Sequence, residues 1–177
     1  MNSFEIFDIP VVLQKILGLD KIFQLYLEAK KNTDPNNMTF SFIESMLDGL
    51  NIRYSINSEE FNKIKEIKGP ILFVANHPFG AIDGLILLIL MGKINPRSKL
   101  IANSIFSHIE EMKDVILPVE IMQKSPNKKL NFLYLKNILK ELSNNNMIGM
   151  FPAGEVAAYS SWKSKQATEK PWHPHLG

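Results

Sequence analysis

The sequence predicts an α/β domain, with helices around a central, largely parallel mixed sheet and an N-terminal helical segment before it. Two observations carry this reading. After Pro70, short apolar runs alternate with stretches of helical periodicity, the pattern of strands joined by crossover helices. Before Gly69, apolar residues recur only at helical spacing. The expected division is therefore a helical segment over 1–68 and a core over 69–177.

In the first segment, Asp8 can cap a helix that has Pro10 in its first turn and stops at Gly18. Ile22, Leu25, Tyr26 and Ala29 then share one helical face, with Lys30 and Lys31 at the C-terminal end. Ser41 and Glu44 have capping-box spacing before Met46, Leu47 and Leu50, and Asn57 and Glu60 repeat it before Phe61 and Ile64. In the second segment the expected strands are 71–75 (ILFVA), 99–103 (KLIAN), 115–119 (VILPV) and 147–151 (MIGMF). Between them lie a helix from near Ala81 through Gly84 to Met91, a short segment near Ser104 to Glu111, and a helix from Ser125 to Leu142. Pro126 suits the first turn of that last helix, and Phe132, Leu135, Leu139 and Leu142 form its apolar stripe.

Composition narrows the function. With 45% apolar and 21% charged residues, 177 residues suit one globular core. A net charge of +2 is too small to imply nucleic acid, though it is compatible with an anionic membrane surface. The chain has no cysteine, which excludes disulfides, thiolate catalysis and cysteine-ligated metal. The start lacks a secretion signal, so a cytoplasmic location is expected. The most apolar stretch, Ile71 to Gly92, contains His77 and Asp83, and its unbroken apolar part is only LILLILM. A membrane span needs about 20 mostly apolar residues, so any membrane association is expected to be peripheral, at the inner face. No G-x-S-x-G elbow, phosphate-binding G-x-x-x-x-G-K-[ST], G-x-G-x-x-G or H-E-x-x-H occurs.

The most informative stretch is Asn76 to Gly84, NHPFGAIDG, which follows the first expected strand. In open α/β sheets, active residues gather at the carboxyl ends of strands. His77 and Asp83 would lie roughly 240° apart on a continuous helix, so they meet only if the chain turns between them. Pro78 disfavours helix at His77, and Gly80 permits a sharp turn. A carboxylate on one imidazole nitrogen fixes the tautomer and leaves the other nitrogen to take a proton from a hydroxyl. The plainer alternative is a histidine that satisfies a backbone carbonyl, with Asp83 as a helix-start acid.

With NHPFGAIDG at 76–84 and FPAGEV at 151–156, the chain resembles the glycerolipid acyltransferases of the lysophosphatidic-acid type. It looks closest to the hemolysin-like branch, which is similar to ornithine- and glycine-lipid O-acyltransferases. LPVE (117–120) and KPW (170–172) add support, and the resemblance covers about residues 69 to 175. It implies that His77 deprotonates an acceptor hydroxyl, which attacks the thioester of acyl-CoA or acyl carrier protein, while Asp83 orients His77. It also implies substrate contacts from Asn76, Pro78, Phe79 and Gly80 in the first block and from Phe151, Pro152, Gly154 and Glu155 in the second. No cofactor or metal is needed. The implied partners are a lyso-lipid acceptor, the acyl-CoA or acyl carrier protein donor, and a membrane surface.

The chain departs from the common family pattern in four ways. Five residues, not four, separate His77 from Asp83. Ala153 stands where a glutamate is usual, with Glu155 after the glycine. The arginine that binds the acceptor phosphate is missing, Glu120 and Lys124 being the nearest charges. The chain also stops at Gly177, short of further strands, and is expected to be truncated. The second and third departures weaken the case for a glycerol-phosphate acceptor, so that an aminoacyl lyso-lipid stands beside lysophosphatidic acid as an option. Competing functions are a hydrolase using the same histidine, with Ser104 and Ser107 as candidates by proximity only, and a non-catalytic lipid-surface module. Elsewhere, His108, His173 and His175 read as surface or tail residues. Lys124, Lys128, Lys129, Lys136 and Lys140 read as a solvated helix face, and Trp162 and Trp172 read equally as interfacial anchors or as core or rim packing.

Overall fold

The computed structural model describes residues 19–119, 128–159 and 166–172. The chain divides into two compact units, Met1–Ile52 and Arg53–Gly177.

In the first unit, α1 (Leu19–Lys31) packs on α2 (Met38–Gly49). Their buried residues include Ala29, Phe42, Ile43 and Leu47, and the Tyr26 ring meets Phe42 edge-on at 5.6 Å. Ile22, placed by periodicity on the same face as Ala29, is 53% exposed. The helix expected after Ser41 begins earlier, at Met38, so Ser41 is an interior residue rather than a cap. Its hydroxyl donates to the Asn37 carbonyl at 2.8 Å and accepts the Asp34 N–H at 2.9 Å. A serine inside a helix can bond the carbonyl of the preceding turn in this way.

The second unit opens with α3 (Ser58–Glu66), capped as expected by Asn57, whose Oδ1 accepts the Glu59 and Glu60 N–H groups. There follow β1 (Ile71–Val74), α4 (Ala81–Gly92), β2 (Lys99–Asn103), a 3₁₀ turn (Ser104–His108), β3 (Ile116–Val119), α5 (Lys128–Ser143) and β4 (Met147–Met150). The four strands make one sheet in the order β1-β4-β2-β3, and every pairing is parallel. The expected α/β class therefore stands. A small antiparallel pair, β5 (Ala158–Tyr159) with β6 (Ala167–Thr168), was not legible beforehand, because two-residue strands carry no periodicity.

The crossover through α4 runs from β1 past β4 to β2, and the crossover through α5 runs back from β3 past β2 to β4. Right-handed crossovers in opposite directions place the two helices on opposite faces of the sheet. Strand β4 is thus covered on both sides, which is why MIGM reads as an unbroken apolar run. Gly149 lets α4 pack closely against the strand there. A Cβ at that position would lie 2.8 Å from Met91 Cε and 3.0 Å from Leu87 Cδ2, both on α4.

Three of the four residues of the expected stripe on α5 turn outward instead of toward the sheet, Leu142 alone being half-buried. Phe132, Leu135 and Leu139 are all more than half exposed, while Tyr134 and Ile138 are the half-buried residues between them. Periodicity identifies which residues share a face, but not which face meets the sheet. Asp8, Pro10, Gly18, Glu120, Lys124, Ser125, Pro126, Trp162, His173 and His175 lie outside the described residues.

Candidate active site

The site grows from the loop that leaves β1. Ala75 extends the ladder by one bond to the Met150 carbonyl, and the chain then turns through His77, Pro78, Phe79 and Gly80. Gly80 has φ +66° and ψ −129°, a conformation that strains any residue with a Cβ. The turn brings Asp83, in the first turn of α4, back over the loop. Asp83 Oδ2 accepts the Phe79 N–H at 2.7 Å and lies 3.3 Å from His77 Nδ1. Side-chain exposures of 17% for His77 and 14% for Asp83 put both largely out of water. The approach is close but bent, and Nδ1 has no aligned hydrogen-bond partner. Such a contact commonly straightens when substrate arrives.

Three further contacts hold the histidine. Its ring stacks on Phe151 at 4.0 Å between centroids, with 14° between planes. Its carbonyl accepts the Ala157 N–H at 3.1 Å. Its own N–H donates to the carboxylate of Glu169. Sequence reasoning missed Glu169, because a partner so distant in the chain leaves no spacing to read. The one signal was its place directly before the KPW segment. Next to it, Lys170 pairs with Glu155 at 2.6 Å, an exposed ion pair of small energetic weight.

His77 opens onto a cavity of about 510 Å³ at the carboxyl ends of the strands. That volume falls within the range of roughly 300–1,000 Å³ usual for small-molecule sites. Gly80, Phe151, Pro152 and Gly154 line it with His77, so the two sequence blocks converge on one space. Leu100, Met112 and Ile116, all buried, add apolar wall. Asp83 is not part of the lining and meets the ring through Nδ1. Asn76, Pro78 and Phe79 are exposed and outside the lining, and Glu155 is engaged with Lys170. Among the described lining residues only His77 and Asn103 carry a side-chain nitrogen or oxygen.

Among the described residues, no group of three or more His, Asp or Glu is arranged to hold a metal ion. Nor is any described helix long and apolar enough to cross a membrane.

Residues 33–176 match a protein-family model described as Acyltransferase. A search of curated proteins finds no match. The family match spans well over half of the chain and includes both the loop that carries His77 and the loop that carries Phe151. With an α/β sheet of the expected class and both blocks on one cavity, the chain belongs to this acyltransferase family.

Proposed function

We propose that this protein transfers a fatty acyl group from acyl-CoA or acyl carrier protein to a hydroxyl of a lyso-lipid, with His77 as general base. The observation that carries the proposal is the His77–Asp83 contact of 3.3 Å at the mouth of an apolar cavity. With Asp83 at Nδ1, Nε2 is the nitrogen that takes the acceptor proton. The acceptor oxygen bonds to the thioester carbonyl carbon, the C–S bond breaks, and the departing thiolate recovers the proton from His77. The products are an ester and a free thiol, and no covalent acyl-enzyme is formed. Asp83 keeps the ring in place and stabilises the imidazolium between the two proton transfers.

The apolar wall suits an acyl chain, because it removes hydrocarbon from water at about 25 cal/mol per Å². No Lys or Arg is among the described lining residues, so phosphate finds no cation among them. This favours an aminoacyl lyso-lipid over a glycerol-phosphate acceptor. The outward Phe132, Leu135 and Leu139, beside exposed Lys136 and Lys140 on α5, support a peripheral seat on an anionic bilayer.

The test is thioester-dependent acylation of a panel of lyso-lipids. The wild type acylates an acceptor, and His77→Ala loses that activity while keeping its melting temperature. Wild-type rates in His77→Ala would rule out the mechanism. Release of free fatty acid at the same rate with and without acceptor would instead mark a hydrolase.

A further inference from the structure

We propose that Asn103 is a catalytic residue of this site, its side-chain Nδ2 donating to the thioester carbonyl oxygen as that oxygen becomes an oxyanion. The proposal rests on the acyl-transfer reading above and names the group that reading lacks. His77 can take a proton, but attack on a thioester also builds negative charge on the carbonyl oxygen. A cavity of alkyl and aromatic groups offers that charge nothing, and unpaired charge in such surroundings is costly. Donors aimed at such an oxygen are often the largest single contribution to acyl-transfer catalysis.

Three observations single out Asn103. First, among the described lining residues it is the only one besides His77 with a polar side chain. Second, its amide orientation is determined. Asn103 caps the short 3₁₀ turn, its Oδ1 accepting the Ile105 N–H at 3.0 Å. An acceptor is needed at that position, so Oδ1 is the atom committed to the cap. The NH₂ group remains, and it has no partner among the described residues. Capping therefore explains one end of this amide and leaves the donor end unexplained.

Third, the strand order places it correctly. The loop of His77 follows β1, Phe151 directly follows β4, and Asn103 ends β2, in a sheet ordered β1-β4-β2. The ring of His77 stacks on that of Phe151, the residue that directly follows the middle strand. Asn103 ends the next strand, neighbouring strands lie about 4.8 Å apart, and both His77 and Asn103 line the same cavity. A carbonyl group bound between them has the base side on one flank and the amide donor on the other.

In the step itself, the acceptor O–H gives its proton to His77 and its oxygen bonds to the carbonyl carbon. The carbonyl π pair moves onto oxygen, where Asn103 donates to it. Collapse restores the carbonyl, expels the thiolate and returns the proton from His77 to sulfur.

The substitutions Asn103→Asp and Asn103→Ser separate the two ends of the amide. Both residues are good caps, and neither presents an NH₂ donor. The assay uses the full chain with palmitoyl-CoA as donor and the acceptor the wild type prefers, alongside Asn103→Ala and His77→Ala. Asn103→Asp and Asn103→Ser are expected to keep the wild-type melting temperature and KM while kcat falls by about 10²–10³, the effect of removing one oxyanion donor. Wild-type kcat in either capping variant, with His77→Ala inactive, overturns the role of Asn103 alone. So does a loss confined to Asn103→Ala that follows a lower melting temperature, since that is the behaviour of a cap. Equal rates in wild type and His77→Ala overturn the acyl-transfer reading and this proposal with it.

Discussion

Glu169 accepts the backbone N–H of His77, a residue 92 positions earlier in the chain. With the Ala157 N–H on the carbonyl of the same residue, the His77 peptide is held on both sides by the segment that follows β4. The loop that presents the imidazole is therefore not self-supporting.

Removing that carboxylate should loosen the histidine without touching its ring. Glu169→Ala is expected to cost about 1.5–3 kcal/mol of stability, the range for a hydrogen bond to a charged group. It should also lower kcat by roughly tenfold, as expected when a reacting group loses its exact placement. Glu169→Gln keeps an oxygen acceptor and should recover most of both. Thermal melts and steady-state kinetics on the two variants check this. Equal loss in both would show that the charge, rather than the anchor, is what matters.

Asp83 has two tasks that substitution can separate. Asn at 83 can still accept the Phe79 N–H, so the turn should survive with a melting temperature near that of the wild type. The charge beside His77 Nδ1 is lost, and kcat is expected to fall on the order of 10²–10⁴ with KM little changed. A kcat near wild type in Asp83→Asn would show that His77 needs no carboxylate.

Gly80→Ala probes the turn that joins the two residues. At φ +66° the added Cβ should cost about 1–3 kcal/mol, and it would approach Val156 Cγ2 at 3.4 Å. Because the same turn delivers Asp83 to His77, activity should fall together with stability. A variant as stable as wild type would mean the turn has relaxed to another conformation, which a new structure would reveal.

The cavity wall predicts a dependence on acyl length. Ile116 is buried in the lining, and Ile116→Phe adds bulk there. Overpacking of this kind typically costs about 1–3 kcal/mol. KM for long-chain donors should rise while short-chain donors are used as before. A uniform change across all chain lengths would place the acyl group elsewhere.

Local pattern carried much of this molecule. The alternation of apolar runs and helical stretches after Pro70 specified a parallel sheet, because a strand covered on both faces must be apolar throughout, as in MIGM. Asn57 identified a helix start, because the cap contact spans only two or three residues. Pro78 and Gly80 marked a turn that returns Asp83 to His77, again a short-range matter of backbone sterics. Where contacts are local, spacing in the chain is nearly spacing in space.

Ser41 and the α5 stripe show where that equivalence ends. The Ser41–Glu44 spacing signals a cap, yet the helix starts before it at Met38. Phe132, Leu135 and Leu139 of α5 share a face as expected, but packing turns that face to solvent. Strand order, the grip of Glu169 on His77, the stacking of Phe151 and the arrival of Asn103 at the same cavity were decided only by tertiary structure. Each joins residues far apart in the chain, and such pairings depend on how whole elements pack, which short-range periodicity does not encode.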